Sequence, residues 1–326
     1  MIRRLMILRM KQKMKNRYFK KFCIYMLLTL LIYNCNCENS ILVSCNLSPA
    51  FISSSEIIFV ANVNAVYKLF IYDQYKNSVR YFNERLENTY EVDYSPIRDQ
   101  IAFIKLDIKN KNSNIYMSDL QGSKITQITS KDFYHNYPLF SHNGKRLYFV
   151  RRDKSNYGMY FHYIDLITNQ ELRVCNTPFF VHGAPSMTND DDYIIFTEGR
   201  RYQKIVKLEI KSGQFEILKE DETLLAATIN LKTNAIIFAE SDYKYEETKK
   251  GTKILKAIYT MDLETRETRI LFKENFWECS FIKISPVYNE IIYMNLLNNL
   301  VISSIDGKIK RIVDLERLLE NELDED

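Results

Sequence analysis

Glycine and proline are scarce in this chain of 326 residues, at 8 and 6, which excludes a collagen-like or low-complexity polymer. Of the 6 cysteines, only Cys175 and Cys279 lie beyond residue 45, too few for a disulfide framework, so both read as core thiols. The sequence has no Gly-rich phosphate loop, Gly-x-Ser-x-Gly elbow, His-Glu-x-x-His or Cys-x-x-Cys, so the commonest enzymatic signatures are missing and neither catalysis nor a cofactor is expected. What is present is 46% apolar and 26% charged residues, the balance of a globular chain, with 23 Tyr and 19 Phe pointing toward strands. The net charge is +4, but Arg3, Arg4, Arg9, Lys11, Lys13, Lys15, Arg17, Lys20 and Lys21 place +9 in the first 22 residues, leaving −5 for the rest. A mildly acidic folded part has no electrostatic case for nucleic acid.

The basic run precedes Cys23–Tyr33, an uncharged and mostly apolar stretch, and then polar residues to Ser40. Basic, apolar and polar regions in that order describe a secretory signal over residues 1–34. A membrane span needs about 20 apolar residues and is not expected. Leu31-Ile-Tyr-Asn-Cys35 and Leu42-Val-Ser-Cys45 resemble the lipobox of bacterial lipoproteins. Cys35 is the expected lipid attachment site because it abuts the apolar stretch, and Cys45 is the alternative because it fits the strict pattern. Residues 35–45 then read as a lipidated or flexible tether.

A short apolar triplet recurs as Ile57-Ile-Phe59, Ile101-Ala-Phe103, Leu147-Tyr-Phe149, Ile194-Ile-Phe196, Ile236-Ile-Phe238 and Ile291-Ile-Tyr293, in steps of 44, 46, 47, 42 and 55. A second run ending in an acid follows each triplet, at Asp73, Asp119, Asp165, Glu209, Asp262 and Asp306. Each unit reads as four short strands, clearest at Tyr137–Phe140, Leu147–Val150, Met159–Ile164 and Glu171–Val174. The acids read as turn formers. Six such units cannot each bury both faces alone, but arranged radially they share a core. The expected fold is all-β: a six-bladed β-propeller of four-stranded antiparallel blades over residues 46–313. A short amphipathic helix within 314–326 follows, with Leu315, Leu318, Leu319 and Leu323 on one face. In the fifth unit, Ser241–Lys253 reads as an inserted mobile loop.

Pro138-Leu-Phe-Ser-His-Asn-Gly144, Tyr94-Ser-Pro96 and Ile115-Tyr-Met-Ser-Asp119 resemble the repeat of the TolB-like propellers with PD40-type units. The Asp-Gly turn of that repeat is replaced by Ser54-Ser55, Asp191-Asp192 and Thr233-Asn234 in the first, fourth and fifth units. The resemblance implies a lipid-anchored scaffold on the periplasmic side of a bacterial envelope. Its implied partners are envelope or outer-membrane proteins, including those of outer-membrane protein assembly, and it is expected to be monomeric outside complexes.

His135 and His182 lie 47 residues apart, each just before the innermost strand of adjacent blades, and Cys279 is at the matching height. The three are candidates for binding at the channel mouth, with no metal expected. The alternative is a zinc site built on them, because imidazole and thiolate suit that ion, in a metal-dependent carbohydrate hydrolase or lyase.

Overall fold

The computed structural model describes residues 49–129, 133–152, 158–199, 203–248, 251–274, 281–285, 290–294 and 299–324. The signal segment, Cys35, Cys45 and Cys279 lie outside them. The strands form six antiparallel sheets of four, each from consecutive strands. Blade one comprises β1 (Ala50–Phe51), β2 (Glu56–Val63), β3 (Val66–Asp73) and β4 (Ser78–Tyr81). Blade two comprises β5 (Thr89–Ser95), β6 (Gln100–Asp107), β7 (Asn112–Asp119) and β8 (Ile125–Gln127). Blade three comprises β9 (Tyr134–Phe140), β10 (Arg146–Arg152), β11 (Met159–Asp165) and β12 (Glu171–Arg173). Blade four comprises β13 (Val181–Met187), β14 (Tyr193–Glu198), β15 (Gln203–Glu209) and β16 (Phe215–Asp221). Blade five comprises β17 (Leu224–Asn230), β18 (Ala235–Thr248), β19 (Gly251–Asp262) and β20 (Thr268–Glu274). Blade six comprises β21 (Lys283–Ile284), β22 (Glu290–Met294), β23 (Leu300–Ser304) and β24 (Ile309–Val313), followed by helix α1 (Leu315–Asp324). The expected six-bladed propeller is the observed fold.

All six triplets lie on second strands, and their all-apolar character follows from burial on both faces of a blade. Ile58 and Val60 of β2 pack with Ile101 and Phe103 of β6. The next pair on β6, Ala102 and Ile104, packs with Leu147 and Phe149 of β10. Tyr148 and Val150 continue to Ile194 and Phe196, and Ile195 continues to Ile236 and Phe238. One larger core joins blades five, six and one. Each seam buries side chains from two blades, so no blade is stable as an isolated sheet.

Among the described residues no sheet mixes strands from the first and last blades, and side chains join the two blades. Phe70 and Tyr72 of blade one share a core with Tyr293 and Val301 of blade six and with Leu315 and Leu319 of α1. The Arg311 guanidinium of β24 donates to the Tyr72 hydroxyl at 3.1 Å and to the Gln74 carbonyl.

The turns preserve backbone shape where the sequence departs from Gly. Gly144 has φ 67°, and Asp191, at the corresponding turn of blade four, has φ 61°. Asp and Asn tolerate this left-handed region better than other non-glycine residues. The acids ending third strands close turns: Asp165 accepts the Ile167 and Thr168 N–H groups at 3.0 and 2.9 Å, and Asp262 those of Glu264 and Thr265 at 2.9 and 2.8 Å. These backbone bonds, with Thr168 and Thr265 contributing most, hold both carboxyls below their usual range.

One expectation is corrected. The Ser241–Lys253 segment is not a loop: β18 and β19 continue into it, pairing Ser241 with Lys256, Glu246 with Lys253 and Thr248 with Gly251. Tyr243, Tyr245 and Thr248 favour strands, and the ladder resumes at Glu246 after an irregularity between Asp242 and Glu246.

Candidate functional site at the channel mouth

The first strand of every blade places one residue opposite the middle of its triplet. These residues are Ala50, Asp93, Leu139, Ser186, Thr228 and Lys283, facing Ile58, Ala102, Tyr148, Ile195, Ile237 and Ile292. All six line one cavity of about 410 Å³, walled further by Phe51, Ile52, Phe140, Met187 and Ile229. Polar groups such as Ser95, Ser141, Ser186, Thr228 and Asn230 share the wall with these apolar side chains, and the size is that of a small-ligand or side-chain pocket. The cavity exists only because the ring closes, since each blade contributes one strand end.

Two of the six ring positions are charged, Asp93 from blade two and Lys283 from blade six. Glu91 lies two residues before Asp93 on the same strand. The carboxylate of Glu91 accepts the Tyr137 backbone N–H at 2.5 Å, and that of Asp93 accepts the Phe140 N–H at 2.8 Å, so blade three is tied to both. Burial pushes Glu91 up to about 7, against the Tyr137 N–H and the Lys283 charge. Burial likewise raises Asp93, with Lys283 opposing, and lowers Lys283, with Asp93 and then Glu91 opposing. Asp93 and Lys283 line the cavity, Glu91 does not, and all three are half-buried among the blades, where desolvation outweighs their mutual attraction.

The two histidines are not brought together. Between Leu139–Tyr148 and Asn136–Val150, β9 carries one more residue than β10. Between Ser186–Ile195 and His182–Thr197, β13 carries two more than β14. His135 therefore faces Arg151, two places beyond its triplet, and His182 faces Thr197, one place beyond. A shift of one place moves a side chain to the other face of a sheet. His135 is 1% exposed, its Nδ1 is 2.6 Å from the Ser113 carbonyl, and its ring lies against Phe133 and Phe149. Burial holds its pKa below the usual histidine value. The channel-mouth placement expected for His135 thus gives way to an interior one between blades two and three. His182 is exposed, and its carbonyl accepts the Thr197 hydroxyl. Cys175 is buried, its thiol raised by that burial. Among the described residues no three His, Cys, Asp or Glu side chains are grouped to hold a metal.

The charged pair was legible in principle. Aligned on the triplets, Asp93 and Lys283 each stand ten residues before the aromatic end of the triplet, where Leu139, Ser186 and Thr228 stand in other units. A charge at a position otherwise uncharged is the signal, and aligning on histidines hides it.

No family model matches the chain, and no curated protein matches it in sequence. Solved structures do. TolB from Acinetobacter baumannii superposes with a TM-score of 0.64 at 20% identity, covering 78% of this chain and 62% of that one. The propeller fold is shared with TolB. This chain spans under two thirds of that protein's length. The β-propeller domain of the Trilobed protease from Pyrococcus furiosus, described as having an open velcro topology, matches with a TM-score of 0.53 at 17% identity over 84% of this chain and 85% of that one. The tricorn protease matches with a TM-score of 0.54 at 11% identity, covering 82% of this chain and 30% of its own.

Proposed function

We propose that this chain is a non-catalytic protein-binding scaffold of the bacterial cell envelope, exported by its N-terminal segment and tethered through a lipid on Cys35. It engages envelope proteins, including those that assemble the outer membrane, with the propeller face on which the cavity opens. One observation carries the reading. The turns after first and third strands lie at the same end of each blade, as the pairing of Gln100 with Asp119 requires, and this is the cavity's end. On those turns Tyr75, Ile97 and Ile167 are 81%, 67% and 73% exposed, on blades one, two and three. Large apolar side chains held out by rigid turns beside a preformed cavity are suited to bury against a protein. The likeness in fold to TolB supports the envelope setting.

The test is affinity purification of the full chain from detergent-solubilised envelope membranes. A co-purifying protein is expected with the native chain, and it is lost when Ile97→Asp and Ile167→Asp are combined. Equal recovery with both chains would refute the docking face.

A further inference from the structure

The cavity carries charge of both signs at one level of its wall. Asp93 of blade two and Lys283 of blade six stand on either side of Ala50 of blade one, the smallest of the six ring residues, whose methyl group does not fill the space between them. Among the described residues no ion pair joins the two, and no hydrogen bond reaches the Lys283 ammonium. The Asp93 carboxylate accepts the Phe140 N–H at 2.8 Å, which fixes its place on the wall. Glu91 belongs to the seam between blades two and three and does not line the cavity. Two more basic side chains stand on turns at the rim, Lys232 exposed to solvent and His142 with its ring 3.3 Å from the Met187 carbonyl. Across the ring, Ser186 of blade four is 8% exposed and its hydroxyl has no hydrogen-bond partner among the described residues. Leu139, Met187 and Ile229 add apolar surface from blades three, four and five.

We infer that the channel mouth binds a small zwitterion, an α-amino acid with an apolar side chain, its ammonium on Asp93 and its carboxylate on Lys283. The inference goes beyond the docking reading and does not rest on it. Opposite charges that share a cavity without touching are desolvated without the gain of contact, and a ligand carrying both signs completes two ion pairs at once. A ligand with an ammonium alone meets Lys283 as a like charge, and one with a carboxylate alone meets Asp93 in the same way. Lys232 adds positive charge, but at an exposed position where solvent and salt screen it, so the pair that faces the ligand is balanced. The unpaired Ser186 hydroxyl marks a wall built for a ligand with hydrogen-bonding atoms, since a buried hydroxyl without a partner is costly. The volume of about 410 Å³ is that of a small-ligand site, and the surface from blades three to five suits an aliphatic side chain.

The experiment is calorimetric titration of the full chain in detergent at neutral pH with L-leucine and with its two halves in charge. Isoamylamine is leucine without the carboxylate, and isocaproate is leucine without the ammonium. Glycerophosphoethanolamine, a zwitterionic lipid headgroup, is titrated as the second source of the same chemistry. Leucine is expected to bind at least about tenfold more tightly than any of the other three. In Asp93→Asn its affinity is expected to fall to about that of isocaproate, and in Lys283→Met to about that of isoamylamine. The two variants act on opposite ends of the ligand, so either one serves if the other does not fold. No binding of leucine, isocaproate or isoamylamine binding as tightly as leucine, or undiminished leucine affinity in a folded variant would each overturn the inference. Glycerophosphoethanolamine binding as tightly as leucine would overturn the assignment to an amino acid.

Discussion

Glu91 and Tyr137 are joined across the seam between blades two and three by a 2.5 Å hydrogen bond from the Tyr137 backbone N–H to the Glu91 carboxylate. Both have left-handed backbone, with φ 40° and 56°, and both sit where a first strand carries an extra residue against its neighbour. A bulge frees a backbone N–H from the ladder, and a buried donor must find another acceptor. Here the acceptor is a side chain from the bulge of the adjacent blade. The irregularity in each strand is thereby used to tie blade two to blade three and to fix the Glu91 carboxylate at their seam.

This arrangement has a pH signature. Glu91 titrates near 7 when folded, against 4.5 for a free side chain, so the folded chain holds an extra proton between those values. Stability therefore falls as pH rises through that window, and the raised Asp93 acts in the same direction. Glu91→Gln keeps an oxygen for the Tyr137 N–H and removes the charge. Urea unfolding is expected to show the variant more stable than the native chain by about 1–3 kcal/mol at pH 8, with the difference gone near pH 4. A destabilised variant at pH 8 would mean that the Glu91 charge is favourable where it lies.

Ring closure through side chains places a measurable load on α1. Leu319 is fully buried in the core shared by the first and last blades, and Leu318 is only partly buried. Leu319→Ala is expected to cost about 2–4 kcal/mol in chemical denaturation, and Leu318→Ala about 1 kcal/mol or less. Equal, small effects would show that closure does not depend on the helix.

The two histidines separate in the same experiment. His135→Ala removes a buried ring and orphans its carbonyl contact, so a loss of about 2 kcal/mol or more is expected, while His182→Ala stays within about 0.5 kcal/mol. Because the His135 pKa is lowered on folding, its contribution fades as pH drops below the ordinary value of 6.5. Elemental analysis of the native chain is expected to find no stoichiometric zinc. Tightly bound zinc released by His182→Ala would restore the metal-site alternative.

Lipid attachment is tested by acyl labelling and globomycin-sensitive processing, expected to be lost in Cys35→Ala and kept in Cys45→Ala. The reverse pattern would move the anchor to Cys45, and no labelling of the native chain would remove it.

What the sequence made legible follows from periodicity. Ile57–Phe59 and its five counterparts are apolar at every position because both faces of a second strand are covered, and a constraint that strong survives as a motif. Asp165 and Asp262 were readable as turn formers because an Asx turn is a local event of three or four residues. The separation of His135 from His182 was not readable, since it depends on one bulge residue in β9 and two in β13, and equal spacing in sequence conceals unequal ladders. The convergence of Glu91 and Asp93 with Lys283 spans about 190 residues of chain and exists only in the closed ring. The fifth-blade hairpin is not legible as strand because its Tyr, Lys and Glu residues read as solvent-facing, and the ladder passes through a register shift between Asp242 and Glu246 before it resumes.

The central claim is that one face of the propeller docks a protein, and photo-crosslinking from two chosen positions tests it most directly. Ile97 lies on a turn at the cavity end, and Ile108, 69% exposed, lies on the β6–β7 turn at the opposite end. With a photoreactive amino acid at each in turn, irradiation in intact cells is expected to give a discrete protein adduct from position 97 and none from position 108. Adducts from 108 alone, or equal adducts from both, would contradict the account.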